Sequence, residues 1–306
     1  MKKVFDSKSP ILFLIVLGLF SFASAQQTQS PQTQAQPPQY QQQPAPVSLE
    51  KISANIYEVK GGSGANAAVY IGEKEILIID AKMSEETVQQ MLEQVRKLSN
   101  NPIVFIALTH SDGDHVNGLP GFPAGTKVVA HEETRRYMTE AFKEERQKAW
   151  LPRVTFSERL KLYFGDHIVE MLYFGPAHTS GDAVIYFPEE KVAVLGDLLF
   201  IGRNPLVHRH KNGSSFGLVK VLRAVLELDA EVFLSGHAPK GTRSDIEAEI
   251  KLLEDEQAKI KALVDQGKTF EEIKAIYKIE DRPAQPGRPR FLSLPEVIYL
   301  ELTEKK

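Results

Sequence analysis

The stretch Thr109-His110-Ser111-Asp112-Gly113-Asp114-His115 directly follows the apolar run Ile103–Leu108. A short apolar run of this kind predicts a strand that is buried on both faces. Loops at the ends of such strands often carry functional residues. Two histidines and two aspartates within six residues supply nitrogen and oxygen donors, which suit zinc, iron or manganese. The stretch therefore predicts a metal site at the end of a buried strand.

The spacing within this stretch adds a geometric expectation. His110, Asp112 and Asp114 stand two residues apart, so their side chains would project to one side of an extended segment. Gly113 would allow the loop to bend tightly, after which His115 could face a second position. A lone His or Asp in a loop usually caps a helix or faces solvent, but four in six residues seldom serve only that purpose.

Three further candidate ligands each follow a predicted strand. They are His178 after Ile168–Phe174, Asp197 after Val192–Leu195, and His237 after Val232–Leu234. Each of them has an ordinary explanation when it is considered alone. Taken together, they suggest that one sheet edge gathers ligands from four distant parts of the chain.

These motifs make the sequence similar to the metallo-β-lactamase superfamily. Its pattern is a strand ending in His-x-His-x-Asp-His, then a downstream His, an Asp and a final His, and here it runs from about residue 50 to at least 240. The resemblance implies an α+β protein with a four-layer αββα fold, in which two mixed β-sheets lie between helices. It also implies two divalent metal ions at the sheet edges, with Zn²⁺ as the first choice and Mn or Fe as further candidates.

The resemblance assigns a role to each residue of the motifs. The first metal would bind His110 and His178, the second would bind Asp114, His115 and His237, and Asp197 would bridge the two. Asp80, which ends the predicted strand Ile76–Ile79, would orient the metal loop without binding a metal itself. Asp114 would also hold or shuttle the proton during catalysis.

Asp112 stands where the superfamily usually has the second histidine of the motif. A carboxylate can still bind a metal, and some branches of the superfamily carry Asp here. With two divalent cations, the charges of Asp112, Asp114, Asp197 and one hydroxide would bring the site to about neutral. This balance predicts a less acidic bound water, weaker attraction for anionic substrates and more tolerance for Mn or Fe. A one-metal enzyme that has lost the first metal would also fit the substitution.

The implied function is hydrolysis of an ester, thioester, lactam or phosphoester bond in a small-molecule substrate by a metal-bridging hydroxide. His208 and His210 lie in a loop after Asp197 and are candidates for substrate contact. Asp197 argues against a periplasmic zinc β-lactamase, since true β-lactamases of this fold generally carry Cys or Ser there. The resemblance also fits a mononuclear iron persulfide dioxygenase or a non-catalytic binding module, and the intact ligand set argues against the binding module.

Composition excludes some classes of partner and ligand. The chain has 306 residues, with 37 basic and 40 acidic residues spread along it, so no basic stripe indicates a nucleic-acid partner. It contains no cysteine, so any metal must be held by imidazole and carboxylate groups. The sequence does not indicate an oligomeric state.

The N-terminal region has the pattern of a secretory signal. Lys2 and Lys3 precede the apolar run Ile11–Phe22 and the small residues Ala23-Ser24-Ala25, which predicts a signal peptide over residues 1–25. The run is shorter than the about 20 residues that span a bilayer, so we expect no stable membrane anchor and a secreted, periplasmic location. The Gln- and Pro-rich residues 26–46 predict a disordered linker.

Residues 47–306 are expected to form one domain, with a helical C-terminal extension from about residue 244. The periodicity predicts a helix over Ser84–Leu98 with Ser84 as its N-cap, and a single helix over Glu132–Lys148. Three helices are predicted near the C-terminus, over Ser244–Val264, Thr269–Tyr277 and Pro295–Thr303. The order of the strands within the sheets does not follow from the sequence.

Overall fold

The structure, a computed structural model, describes residues 45–280 and 290–304. The predicted signal peptide and nearly all of the predicted linker lie outside the described residues and stay predictions. The described residues belong to one compact unit, Gln43–Lys306. Within the described ranges, no helix combines the length and the apolar character that a membrane crossing requires.

Two mixed β-sheets form the centre of the molecule. Sheet 1 has seven strands in the order β1 (Ser48–Lys51), β2 (Ile56–Lys60), β3 (Ala67–Ile71), β4 (Ile76–Ile79), β5 (Ile103–Ala107), β6 (Lys127–His131) and β7 (Val154–Phe156). Sheet 2 has five strands in the order β12 (Val232–Ser235), β11 (Val192–Gly196), β10 (Ala183–Phe187), β9 (His167–Tyr173) and β8 (Arg159–Phe164). Neighbouring strands are antiparallel from β1 to β4 and from β8 to β11, whereas β4 to β7 and the pair β11–β12 are parallel.

Helices cover the outer faces of both sheets. Their bounds are α1 (Glu85–Arg96), α2 (Gly113–Val116), α3 (Glu132–Ala141), α4 (Glu145–Lys148), α5 (Ser215–Leu226), α6 (Arg243–Asp265), α7 (Phe270–Tyr277) and α8 (Leu294–Thr303). Helix α1 packs on sheet 1, and the helices α5, α6 and α8 pack on sheet 2. The predicted α+β class and αββα layering are thereby confirmed.

The side chains of β4 alternate between the two faces of sheet 1. Ile76 and Ile78 pack towards α1, while Leu77 and Ile79 pack into the core between the two sheets. All four side chains are buried, because successive residues of a strand point to opposite faces and both faces are covered here.

Most predicted elements agree with the structure to within two residues, but one helix does not. Ser84 caps α1, and its side chain accepts the N–H of Thr87. The single helix predicted over Glu132–Lys148 is wrong, because the chain leaves the helix at Ala141 and begins a new one at Glu145. Phe142, which ends the first helix in an extended conformation, is buried in the core on the outer face of sheet 1. Burial of this side chain outweighs helix propensity.

The C-terminal helices also support the loop that follows β11. Glu249 of α6 is 5% exposed, and its Oε2 accepts a hydrogen bond of 2.7 Å from the backbone N–H of Phe200. Burial raises the pKa of Glu249 to about 7, although the Phe200 hydrogen bond and the charge of Arg203 oppose that rise. A buried carboxylate on α6 therefore holds the backbone three residues after Asp197.

We predict that Glu249→Gln raises the melting temperature by several degrees at pH 8 and by much less at pH 5. The folded protein keeps the carboxyl proton up to about pH 7, whereas the unfolded chain loses it near pH 4.5. The contribution of Glu249 to stability is therefore complete below pH 4.5 and is lost as the pH rises through 7. Thermal unfolding of metal-free protein measures this effect, with the exposed Glu247→Gln of the same helix as the control. An equal shift at both pH values would contradict the prediction.

Candidate metal centre

The motif after β5 changes from strand to helix at its middle residue. Asp112 is extended, and its carbonyl accepts hydrogen bonds from the backbone N–H groups of His115 and Val116 as α2 begins. The single extended segment expected from the spacing of His110, Asp112 and Asp114 is therefore wrong. Gly113 has no positive φ angle; a Cβ atom there would come within 2.6 Å of Asn117 Nδ2. The change from strand to helix separates the four donors into two pairs.

A first group of donors lies around His110 and His178. His110 Nε2 is 4.0 Å from Asp197 Oδ2, and His178 Nε2 is 3.8 Å from the same oxygen. Asp112 Oδ2 lies 3.8 Å from His110 Nε2 and 3.3 Å from His178 Nε2. A tetrahedral zinc ion with bonds of about 2.1 Å holds its donors about 3.4 Å apart. His110, His178 and Asp197 therefore offer ligand atoms at the spacing that such an ion requires, and Asp112 forms a similar group with His178 and His208.

A second group of donors lies around Asp114 and His115. His115 Nε2 is 3.9 Å from Asp114 Oδ2 and 3.3 Å from Asp197 Oδ1. His237 Nε2 is 2.9 Å from Asp114 Oδ2 and 3.3 Å from Asp197 Oδ2. Asp197 thus contacts both groups. The structure brings all seven predicted ligands together at one edge of the sandwich.

Several donor atoms of the two groups are buried without a hydrogen-bond partner. Within the described part of the chain, this is the case for His110 Nε2, His115 Nε2 and Asp197 Oδ1. Buried polar atoms without partners cost free energy, and native proteins contain few of them. Divalent cations would satisfy all three atoms, and the imidazole and carboxylate donors suit zinc as well as manganese or iron. The residues therefore fit the metals that the sequence implies.

The side chain of Asp80 makes hydrogen bonds with two residues of the motif, Thr109 and His115. Its Oδ1 accepts the backbone N–H of Thr109 at 2.8 Å, and its Oδ2 accepts the Thr109 hydroxyl at 2.8 Å and lies 2.7 Å from His115 Nδ1. The backbone of Asp80 has φ 63°, a left-handed conformation that is rare and costly for a residue other than glycine. With Nδ1 bound to Asp80, the Nε2 atom of His115 faces the second group of donors. Asp80 is therefore in position to orient His115.

Two glycines that the sequence did not single out allow the strand ends to approach. A Cβ atom at Gly236 would come within 2.8 Å of His115 Cε1 and closer still to Asp197 Oδ1. Gly196 has φ +55°, and a Cβ atom there would lie 2.5 Å from Thr109 Oγ1. Larger residues at either position would push His237 or Asp197 away from the motif.

Carboxylates determine the electrostatics of the centre. Burial alone would lower the pKa of His178, but the hydrogen bond to Asp112 and the charge of Asp197 raise it to about 9. Hydrogen bonds to Asp114 and Asp197 raise the pKa of His237 to about 9. The centre therefore attracts cations strongly, either as protons or as metal ions. Because metals compete with these protons, metal binding should weaken as the pH falls.

Lys211 is a member of the centre that the sequence interpretation missed. Its Nζ donates to Asp112 Oδ1 at 2.7 Å, to Ser111 Oγ at 3.0 Å and to the Ser111 carbonyl at 3.2 Å. His208, which is buried, places its Nε2 atom 2.7 Å from Asp112 Oδ2. Asp112 is thus bound on one oxygen by an ammonium group and on the other by an imidazole. Asp112 and Lys211 are 99 residues apart, so their contact could not be predicted from the sequence.

This contact changes the charge balance that the sequence suggested. Asp112 adds one negative charge where the superfamily usually has a neutral histidine, and Lys211 adds one positive charge in direct contact with it. The Asp112–Lys211 pair is neutral, as an imidazole would be. The expectation of a less positive site, drawn from Asp112 alone, therefore does not hold.

The other predicted substrate residue, His210, lies at the exposed rim of the metal centre. It is exposed, and its ring centre is 4.9 Å from that of the buried His208. Phe291, from the segment before α8, is 57% exposed, and its ring lies 5.1 Å from His208 and 6.4 Å from His210. The C-terminal extension therefore contributes an aromatic side chain to this rim.

We predict that removing the Asp80 carboxylate weakens zinc binding about 10- to 100-fold, because His115 loses the group that orients it. Asp80→Asn preserves the side-chain shape, and Asp80→Ala removes the acceptors altogether. Competition with a chromophoric chelator measures zinc affinity, circular dichroism checks the fold, and the exposed Asp255→Asn serves as control. Zinc affinities within twofold of wild type for both Asp80 variants would show that the contact does not orient a ligand.

Comparisons with curated proteins reveal distant relatives. The alpha subunit of 2,4-dinitroanisole O-demethylase from Nocardioides sp. (strain JS1661) is 23% identical over 208 residues, which cover 67% of this chain and 62% of that protein. A type 2 metallo-beta-lactamase from Elizabethkingia meningoseptica is 26% identical over 164 residues, which cover 51% of this chain and 64% of that protein. The matched regions span less than two thirds of either relative.

Solved structures show the same fold. A metallo-beta-lactamase from Pontibacter korlensis superimposes with a TM-score of 0.60 at 19% identity, over 68% of this chain and 99% of that chain. The DIM-1 metallo-beta-lactamase superimposes with a TM-score of 0.61 at 18% identity, over 70% of this chain and 99% of that chain. The family profile of the metallo-beta-lactamase superfamily matches residues 61–237, more than half of the sequence, and this range ends at the last of the predicted ligands. The chain belongs to the metallo-beta-lactamase superfamily.

Proposed function

We propose that the protein is a metal-dependent hydrolase that binds two divalent metal ions, with Zn²⁺ as the first choice. The first ion would be held by His110, Asp112 and His178, the second by Asp114, His115 and His237, and both by Asp197. The observation that carries this proposal is the pair of donor groups that both contact Asp197 and contain buried donor atoms without other partners in the described ranges. Hydrolase-type chemistry also fits the superfamily.

Bound at these positions, the ions would supply Lewis acidity and a water molecule of lowered pKa. The protein's own contribution to proton transfer would come from Asp114. Its side chain is 23% exposed, whereas that of Asp197 is 5% exposed, so Asp114 is the more accessible of the two carboxylates. Asp114 Oδ2 lies 2.9 Å from His237 Nε2, the other ligand atom proposed for the second ion. Asp114 is therefore placed to accept a proton during attack and to return it to the leaving group.

The substrate would be a small molecule with an ester, thioester, lactam or phosphoester bond. His210 and Phe291 are exposed on the side of the first metal position, where they can contact the part of the substrate that does not react. The exposed ring of Phe291 favours a substrate with an apolar or aromatic group on this side. His208 has a different role in this proposal, since it is buried against Asp112.

Two observations favour a two-metal hydrolase over the dioxygenase and the binding module. Two groups of donors, rather than one, favour a two-metal enzyme over a mononuclear iron persulfide dioxygenase, and their completeness argues against a non-catalytic binding module. An aspartate at position 197 argues against a zinc β-lactamase, although relatives with that activity in their names match the chain. A lactam therefore belongs in any substrate panel, but is not the first choice.

Export is part of the proposal. The basic start, the apolar run and the small residues up to Ala25 support cleavage of residues 1–25 and a periplasmic or secreted location. The Gln- and Pro-rich residues 26–46 would then form the N-terminus of the mature protein.

We expect Asp114→Asn to reduce kcat for hydrolysis about 10²- to 10⁴-fold. The untagged mature protein, loaded with zinc, is first tested on aryl esters, thioesters, lactones, phosphodiesters and nitrocefin, and the best substrate is used for the variant. Zinc content is measured in the same samples, with Asp255→Asn as control. Unchanged hydrolysis and zinc content in Asp114→Asn would remove Asp114 from the mechanism. A wild-type protein that holds two zinc ions and hydrolyses none of these bonds would overturn the hydrolase proposal.

We also expect positions 112 and 211 to be strongly coupled in metal binding. Asp112→His restores the usual motif histidine, yet it leaves the Lys211 ammonium unpaired beside a dication, so the first zinc ion should bind at least about tenfold more weakly. The double variant Asp112→His/Lys211→Met removes that repulsion and should recover affinity to within a few-fold of wild type. Stepwise zinc titration by calorimetry measures both values. If Asp112→His alone binds two zinc ions as tightly as wild type, Lys211 does not compensate the charge of Asp112.

A further inference from the structure

A second concentration of buried polar atoms without partners lies far from the metal centre. Among the described residues, Tyr70 OH, His167 Nδ1 and Glu190 Oε2 are buried and make no hydrogen bond. The metal centre itself shows the same feature at His110 and His115, where bound cations would explain it. Since native proteins leave few buried polar atoms unpaired, three of them in one place indicate a position for a bound water molecule or ion.

The three residues meet at the end of the sandwich opposite the metal centre. His167 begins β9, and Glu189 and Glu190 lie in the turn between β10 and β11. Tyr70 comes from β3, in the other sheet. The strands β9, β10 and β11 are five to seven residues long. At about 3.3 Å per residue, they separate this cluster from the metal centre by roughly 20 Å.

The geometry of the cluster suits a cation. Ligand atoms of His167, Glu189 and Glu190 all lie within 4.8 Å of one another, and His167 Nδ1 is 3.8 Å from Glu190 Oε1. The side chain of Glu190 is 6% exposed. Asn55 Nδ2 donates to its Oε1 at 3.3 Å, which leaves Oε2 free to bind another group.

We propose that His167, Glu189 and Glu190 bind a third divalent cation, of the zinc or manganese class, that cross-links two turns of sheet 2. One imidazole and two carboxylates are a common donor set for these ions. Glu189 and Glu190 are adjacent in sequence, and a cation would offset the repulsion between their charges. The proposal does not depend on the hydrolytic function.

Tyr70 provides independent support, because it is completely buried beside the two carboxylates. Its hydroxyl is buried without a hydrogen-bond partner, and a ligating carboxylate or a metal-bound water would supply the missing acceptor. Its ring lies 5.5 Å from those of Phe164 and Phe187, so the phenol cannot easily turn to solvent.

An ion could enter the cluster from a neighbouring cleft. This cleft has a volume of about 310 Å³ and is lined by the turn before β4, the β8–β9 turn and His167 itself. His167 is 40% exposed, although its Nδ1 atom is buried. The site is therefore accessible to ions.

The function of such an ion would be structural. It would connect the β8–β9 turn to the β10–β11 turn, at the place where Tyr70 of sheet 1 packs against both. We expect zinc to raise the melting temperature through this site without changing the kinetic constants for hydrolysis.

Metal stoichiometry tests the proposal. Untagged protein is dialysed against buffered Zn²⁺ or Mn²⁺ and analysed by mass spectrometry of the bound metal. We expect three ions in wild type, one fewer in Glu190→Gln and in His167→Gln, and no change in Glu227→Gln, which replaces an exposed carboxylate at the end of α5. Hydrolysis by the Glu190 and His167 variants should equal that of wild type.

The variant His110→Ala/His115→Ala separates the two sites, because it disrupts the metal centre and leaves the cluster at Glu190 intact. It should retain one ion, and zinc should still raise its melting temperature. If it binds no ion, or if Glu190→Gln and His167→Gln have the stoichiometry of wild type, water molecules satisfy the cluster and the proposal is wrong. A failure of hydrolysis alone would not affect this result.

Discussion

The carboxylate of Asp197 is the group on which the rest of the centre depends. It lies within 3.3–4.0 Å of imidazole nitrogens from three different stretches of chain, namely those of His110 and His115, of His178 and of His237. Four imidazoles can surround one buried carboxylate only if strand ends from both sheets meet at one edge. The two mixed sheets provide that edge, and Gly196 and Gly236 remove the side chains that would otherwise keep the strand ends apart.

The charges around this carboxylate are balanced by residues on separate loops. Asp80 contacts His115 Nδ1. The loop before α5 places His208 and Lys211 against Asp112. Asp112 and Lys211 thus form one charge pair. The effect of a substitution at position 112 therefore depends on the residue at position 211. The C-terminal helix α6 supports the loop that follows Asp197, where Glu249 accepts a hydrogen bond from the backbone N–H of Phe200.

Buried polar atoms without partners occur at both ends of the sandwich. At one end they belong to the candidate metal ligands, and at the other they belong to Tyr70, His167 and Glu190. The fold tolerates such atoms only where something else can satisfy them. The distance between the two clusters, roughly 20 Å along the strands, allows one to serve chemistry and the other to serve stability.

The sequence by itself determined the family, the layered α+β fold and the seven candidate ligands. Short apolar runs that end in His or Asp are local patterns, so they can be recognised in the sequence without a structure. It did not determine the division of the motif into an extended half and a helical half, since hydrogen bonds to the Asp112 carbonyl decide that. It also failed at Phe142, whose burial ends a helix that local propensity would continue. Only the tertiary structure paired Lys211 with Asp112 and His167 with Glu190. Contacts between residues that are distant along the chain produce no periodic pattern in a single sequence.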